Sequence, residues 1–242
     1  MLDTEYLDFV KKIPQYKQRE PEWFEQRKGK LTSSDAATAL GQNPYKKPVE
    51  LLFEKCIGRP QYSNQSTLHG QKYEDEAIKF YEVLMGKTNH NFGLIGYEDL
   101  NPLRHYIDER YHFLGGSPDG IALDNKGIEK PIMIEVKCPF RRKIVHGKIP
   151  EHYYAQLQLN LAICNLDIAD FMEYIPSTRE FNLVRVYRCE KWFNKHFPIL
   201  EQFWKDVQYW RNNDITQHPE YETYYGQQIS MFIPEENECM FD

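Results

Sequence analysis

The sequence predicts a mixed α/β (α+β) protein in which a small mixed β-sheet is flanked by helices. Three observations carry that expectation: the first half is punctuated like a run of helices, the middle switches to short segments of strand period, and an aromatic-striped helix closes the ordered chain. At 242 residues, with 41% hydrophobic and 14% aromatic content, there is material for one large core. A single domain is expected over residues 1–212, followed by an acidic, extended tail over 213–242.

Residues 22–28 read as a short helix ending near Gly29. Ser33, Ser34 and Asp35 are N-cap residue types ahead of an Ala-rich run that stops at Gly41. Pro48 opens a helix and Gly58 closes it, and a longer helix runs over 66–86, its first turn weakened by Gly70. Strands are expected over 93–98, 113–116, 120–123 and 132–137, with Asp124-Asn125-Lys126-Gly127 as the turn between the last two. A helix over 150–164 precedes two strands, 168–174 and 181–187, that form a hairpin across Pro176-Ser177-Thr178. The final helix, 190–210, puts Trp192, Phe193, Phe197, Leu200, Phe203 and Trp204 on a core-facing stripe, and Pro198 should kink or break it.

Composition removes several classes. No run approaches the roughly 20 apolar residues of a membrane span, and the first twelve residues mix acids, bases and apolar groups unlike a signal peptide. Five scattered cysteines without a CxxC pair argue against a disulfide framework, a zinc knuckle or an iron–sulfur cluster, so a reducing, intracellular compartment is expected. The net charge is −6, but from Asp214 onward there are seven acids and no Lys or Arg; without those acids, 30 basic residues face 29 acidic ones. Affinity for a polyanion must therefore come from local basic clusters. The tail reads as a solubility segment, with partner docking as its sharper alternative.

Chemistry concentrates in Ser117-Pro118-Asp119-Gly120 and, fifteen residues beyond that glycine, Glu135-Val136-Lys137. With a strand period of two, Glu135 and Lys137 share one face while Ile132, Ile134 and Val136 take the buried one. If the two strands pair, Asp119 arrives beside Glu135, and two convergent carboxylates suit Mg²⁺, with Mn²⁺ as a substitute. Such an ion polarises a phosphoryl oxygen and activates water, while Lys137 orients that water and stabilises the developing charge. On the 66–86 helix, steps of about 100° place Ala77, Ile78, Tyr81 and Met85 on the same face as Glu74. Asp75 and Glu76 point elsewhere, so Glu74 alone of three acids is core-facing and wants a cation or other partner. Gln156 and Gln158 lie on opposite faces of their helix, and either is a buried amide or a contact to phosphate or water. Arg141, Arg142, Lys143 and Lys148 could track a DNA backbone, and Arg27 beside Ser33 and Ser34 forms a phosphate cradle.

In order, Arg27 with Thr32-Ser33-Ser34, His69-Gly70-Gln71-Lys72-Tyr73-Glu74, Ser117-Pro118-Asp119-Gly120, Glu135-Val136-Lys137-Cys138-Pro139-Phe140 and Tyr154-Ala155-Gln156-Leu157-Gln158 resemble the PD-(D/E)xK nucleases. More closely they resemble the exonucleases of the phage lambda type and the YqaJ-like viral recombinases, over about residues 23–174. The resemblance implies a restriction-endonuclease-like core. It implies metal held by Glu74, Asp119, Glu135 and the Val136 carbonyl, with Lys137 catalytic and Gln156 assisting. Arg27, Ser34 and Ser117 would take the 5′-phosphate of a DNA end. The implied activity is Mg²⁺-dependent 5′→3′ digestion of one strand of duplex DNA, leaving 3′ single-stranded tails for an annealing partner in viral or phage recombination or repair. Relatives of this kind form trimeric rings. The alternatives are a site- or structure-specific endonuclease of the same fold, or a DNA-binding recombination protein that no longer cuts.

Overall fold

A computed structural model describes residues 3–224 apart from 15, 19, 59–63 and 125–128. The turn expected at 124–127 lies almost wholly outside the described residues, as does the tail from 225 onward. The order is α1 (Asp3–Val10), α2 (Pro21–Lys28), β1 (Leu31–Thr32), α3 (Ala36–Ala39), α4 (Pro48–Ile57), α5 (Gln65–Met85), β2 (Lys87–His90), β3 (Ile95–Gly96), β4 (Leu114–Gly116), β5 (Gly120–Asp124), β6 (Ile132–Lys137), α6 (Glu151–Ile163), β7 (Ile168–Ile175), β8 (Glu180–Tyr187) and α7 (Glu190–Arg211).

Two sheets result. The larger runs β2-β5-β6-β7-β8, antiparallel except for the parallel β6–β7 pair; the smaller runs β1-β4-β3, with β1 and β4 parallel. The parallel pair needs a crossover, and α6 supplies it. That helix is buried on nearly all sides, which explains why its sequence lacks a clear polar stripe. Leu157 and Leu161 pack with Met133 and Phe171 of the larger sheet, while Ala155, Leu159 and Ile163 pack with α3, α4 and α7. On the opposite face of the larger sheet, Ala77, Ile78 and Tyr81 of α5 cover Ile134 and Val136.

Several expectations need correction. The catalytic-strand candidate was expected to be half-exposed, yet Ile132 to Val136 are all buried because helices cover both faces. The polar segment Lys-Thr-Asn-His forms an edge strand that carries no apolar alternation, and the strand expected over 93–98 shrinks to Ile95–Gly96. Helix α1 was not anticipated; its Tyr6, Leu7 and Val10 enter the second core, and Tyr6 Oη donates to the Cys164 carbonyl at 2.7 Å. Helix α7 runs through Pro198 without interruption. Six buried side chains from Phe193 to Val207 hold it, enough to outweigh the roughly 3 kcal/mol an interior proline costs. The segment expected to be an extended tail from residue 213 begins as packed structure: Tyr224 stacks on Phe53 at 4.5 Å, and His218 meets Phe53 and Trp210 edge-on.

Away from the candidate site, Asp170 on β7 is buried and accepts from Tyr81 Oη (2.7 Å) and from Arg185 Nε and Nη2 (2.9 and 3.0 Å). Removing that carboxylate strands both donors between α5 and the sheet. Asp170→Ala should cost about 3 kcal/mol in urea unfolding, as expected for breaking a buried hydrogen-bonded pair.

Candidate active site

The antiparallel ladder between β5 and β6 ends where Gly120 faces Ile134, and Asp119 stands one residue beyond it. Its Oδ2 accepts the Val136 N–H at 2.7 Å, which fastens the carboxylate to the strand bearing Glu135 and Lys137. Glu135 is completely buried. Its Oε1 is ion-paired with Lys137 Nζ and accepts from Gln156 Nε2 at 2.5 Å, and its Oε2 faces Asn160 Nδ2 at 3.4 Å. Lys137 Nζ lies 4.0 Å from Asp119 Oδ2 and 5.4 Å from the centre of the Tyr153 ring. Close backbone approaches make room for this: a Cβ on Gly116 would come within 2.4 Å of Asn160 Oδ1, and one on Gly120 within 1.9 Å of Asn89 Oδ1.

Burial, then the neighbouring Asp119 charge, pushes the Glu135 carboxyl up to about 8; Lys137 opposes the rise and Glu74 adds to it. Burial works against the Lys137 charge, but Glu135 and Asp119 outweigh it and hold the ammonium protonated beyond the usual lysine range. Glu74 comes from α5, which covers the opposite face of the sheet. It is half-buried while Asp75 and Glu76 are exposed, in line with the helical wheel. Its charge registers on Glu135 and more strongly on Cys138, whose thiol is pushed up to about 12 by burial and then by Glu74. Glu76 is not idle, since it accepts the Tyr174 hydroxyl at 2.8 Å.

Among the described residues, no three His, Cys, Asp or Glu side chains converge as metal ligands. Protein donors hold the two carboxylates: Lys137 and Gln156 on Glu135, and the Val136 amide on Asp119. The donor set still fits a hard divalent cation, because Asp119 and Glu135 offer oxygen alone and already face one common cation, the Lys137 ammonium.

The second cluster forms where β1 and β4 run out side by side. Thr32 pairs with Gly115 in parallel register, so Ser34 and Ser117, each two residues further on, emerge from the same end of the sheet. Arg27 Nη2 donates to Thr32 Oγ1 (3.0 Å) and Ser34 Oγ (2.8 Å), with its guanidinium 4.3 Å over the Trp23 ring. Ser33, Ser34 and Asp35 do not act as the side-chain cap expected ahead of the Ala-rich run. They form a 3₁₀ turn before the four-residue α3 and make no side-chain cap bond. Instead, Thr32 donates to Asp35 at 2.6 Å and Lys55 pairs with Asp35 at 2.8 Å. Ser117 Oγ is buried and has no partner among the described residues.

Of the basic run, Arg141 and Lys143 are exposed, whereas Arg142 pairs with the buried carboxylate of Glu173. Glu173 stands opposite Lys137 in the parallel β6–β7 register. Asn182 on β8 binds Glu173 (3.0 Å), the Lys148 carbonyl (2.8 Å) and the Gly147 amide (2.9 Å). The loop after β6 is thus tied down beside the site by two residues that sequence reasoning did not single out. The parallel register that sets Glu173 opposite Lys137 had no sequence signal, whereas Asn160 shares the Gln156 face one helical turn on and was legible. Gln158 is structural: it donates to the Tyr187 carbonyl at 2.9 Å and accepts the Cys189 amide at 2.8 Å.

A family model described as the YqaJ-like viral recombinase domain matches residues 22–167, which contain both clusters. The chain belongs to that family. It is 32% identical over 179 residues to an uncharacterized protein of Acanthamoeba polyphaga mimivirus, covering 69% of this chain and 31% of that one. It is 26% identical to a protein of African swine fever virus (65% and 49% covered) and 25% identical to the uncharacterized protein YqaJ of Bacillus subtilis (76% and 55%). The chain therefore spans about a third to just over half of these relatives. Its fold is that of an alkaline exonuclease from Laribacter hongkongensis (TM-score 0.59, 22% identity, 88% of this chain and 100% of that one). A phage-related exonuclease from Haemophilus somnus is similar at TM-score 0.50 and 17% identity, covering 84% and 96%. The expected mixed α/β architecture, a small mixed sheet flanked by helices, is therefore correct. Among the described residues no helix is long and apolar enough to cross a membrane, and Cys56, Cys138, Cys164 and Cys189 are unbonded.

The elevated Glu135 pKa has a consequence for stability. With a carboxyl near 8 when folded against about 4.5 when free, its contribution is fully present below about 4.5 and is lost as pH rises through about 8. In chelator, the stability of the wild type relative to Glu135→Gln should fall by up to about 1.4 kcal/mol per pH unit across that window. Urea unfolding of both proteins at the two ends of the window checks it.

Proposed function

We propose that the chain is a divalent-metal-dependent deoxyribonuclease that digests duplex DNA from its 5′ end. The observation that carries this reading is the fully buried Glu135, held by Lys137 and Gln156 and facing Asp119, in a chain of this family. Asp119 and Glu135, with Glu74 and the Val136 carbonyl, would hold the ion. Bound there, Mg²⁺ or Mn²⁺ would polarise the scissile phosphoryl group and supply a nucleophilic water near neutral pH.

The protein's own groups do the rest. Lys137 stabilises charge on the phosphate and orients the attacking water, leaving Glu135 when a cation or phosphate competes for the pair. Gln156 keeps the Glu135 carboxylate oriented. Arg27, Thr32 and Ser34, with the unpartnered Ser117 Oγ at the same sheet end, take the 5′-phosphate. Arg141 and Lys143 face the DNA backbone, while Arg142 fixes the loop that carries them. The proposal extends to 3′ single-stranded products for an annealing partner and to a trimeric ring, which sedimentation with and without DNA would test.

With Mg²⁺, a linear end-labelled duplex should be degraded while a covalently closed circle stays intact. Lys137→Ala and Glu135→Ala should each lose at least about a hundredfold in rate. Activity equal to wild type in both variants would overturn the reading, and cutting of the closed circle would favour an endonuclease. Arg27→Ala should cost about tenfold more on 5′-phosphorylated than on 5′-hydroxyl ends, the worth of a charge-assisted contact; equal losses in single-turnover rates would remove the end-recognition role.

A further inference from the structure

A cleft of about 220 Å³ opens between the Arg27–Ser34 cradle and the Glu135–Lys137 pair, with Ser34 on one side and Gln156 on the other. One wall is made of rings. His152 lies 4.1 Å from Tyr153, and Tyr45 meets His152 edge-on at 5.8 Å. Tyr153 is the fixed back of this wall, packed on Phe171 at 5.6 Å with Lys137 over its face. Tyr45 is the unusual member, being 78% exposed.

An exposed tyrosine alone is unremarkable, but the backbone of this one is held on both sides. Its N–H donates to Asn43 Oδ1 at 2.9 Å, while Asn43 Nδ2 donates to Thr38 Oγ1 at 2.8 Å. Lys46, next in the chain, pairs with Glu54 at 2.5 Å. The ring is therefore presented at the mouth of the cleft by a tied loop that leaves most of it exposed. Burial, with Arg142 and Lys137 nearby, lowers the His152 pKa, so the ring beside it is a neutral aromatic surface at pH 7. An uncharged wall of rings set at steep angles to one another, with Tyr45 presenting an exposed face, matches the chemistry of a nucleobase, which stacks on an aromatic side chain without regard to sequence.

We propose that this cleft binds the base of the 5′-terminal nucleotide, stacked on the exposed Tyr45 ring and bordered by the perpendicular His152 ring, while its 5′-phosphate lies in the Arg27 cradle. The proposal rests on the end-recognition reading above and adds to it a base-dependent contact. The 220 Å³ volume suits a single base, because whole small-molecule sites occupy roughly 300–1,000 Å³. The base would thus be recognised as an aromatic face, and the enzyme would discriminate a nucleotide from a bare sugar-phosphate at the end without discriminating among bases.

The test is binding in chelator, where cleavage plays no part. Duplexes carry a 5′-phosphate and, at the terminal position, either a normal nucleotide or an abasic one. Wild type should bind the normal end about tenfold more tightly. Tyr45→Ala with His152→Ala should bind both ends equally while keeping its preference for 5′-phosphate, and Tyr45→Phe should retain the base effect. Equal wild-type affinity for the two ends overturns the proposal, and so does a base effect that survives the double alanine variant. Wild type that shows no 5′-phosphate-dependent end binding overturns the end-recognition reading itself, and the base site falls with it.

Discussion

A carboxylate with no exposed surface stands at the centre of the larger sheet, and much of the surrounding structure answers to it. Isolated in so dry a position, Glu135 would take up a proton or force the fold apart. Here Lys137 opposes that proton uptake from the same strand face without cancelling it, Gln156 and Asn160 approach from α6, and Asp119 is pinned next to it by the Val136 amide. The glycines at 116 and 120 are spaces the backbone leaves so that amide side chains can cross it. A site kept this dry strengthens every charge interaction inside it, which favours both the ion pair seen here and its exchange for a metal and phosphate.

The two clusters belong to different sheets, and α6 sets the distance between them. One side of that helix meets the larger sheet and the other meets the layer containing α3 and the Ser33–Asp35 turn. A single rigid helix thus carries Gln156 to the carboxylates and His152 to the cleft mouth. A substrate bridging the two clusters is consequently measured against a helix rather than against a loop, which is the arrangement that best preserves sub-ångström geometry.

How much of this was legible in the sequence divides along physical lines. The Asp119, Glu135 and Lys137 grouping was readable because strand alternation and a short spacing act locally. Glu74 was separable from Asp75 and Glu76 because helical period is equally local, although its half-burial is milder than a core-facing position. The long helices were readable from their breakers, with α5 running from an Asn64 cap to the left-handed Gly86. What escaped depended on pairing at a distance: the parallel register that sets Glu173 beside Lys137, the edge strand β2 with its polar side chains, and the second helix layer that makes β6 buried on both faces. The hydroxyls at 33 and 34 illustrate a local signal overruled. Their residue types suit a helix cap, but an arginine from α2 takes the Ser34 hydroxyl together with that of Thr32, which in turn donates to Asp35, forming a polar pocket instead.

The packing beyond α7 also has a practical edge. Composition places a boundary at residue 212, and Arg211 there holds the Lys28 and Lys55 carbonyls together. Yet Phe53, with none of its surface exposed, owes part of that cover to His218, Tyr221 and Tyr224. A chain cut at the compositional boundary would lay a bare phenylalanine face on α4 open to water and to other molecules. The first dozen residues of the acidic segment therefore act as a lid for the helical layer that supports the phosphate cradle.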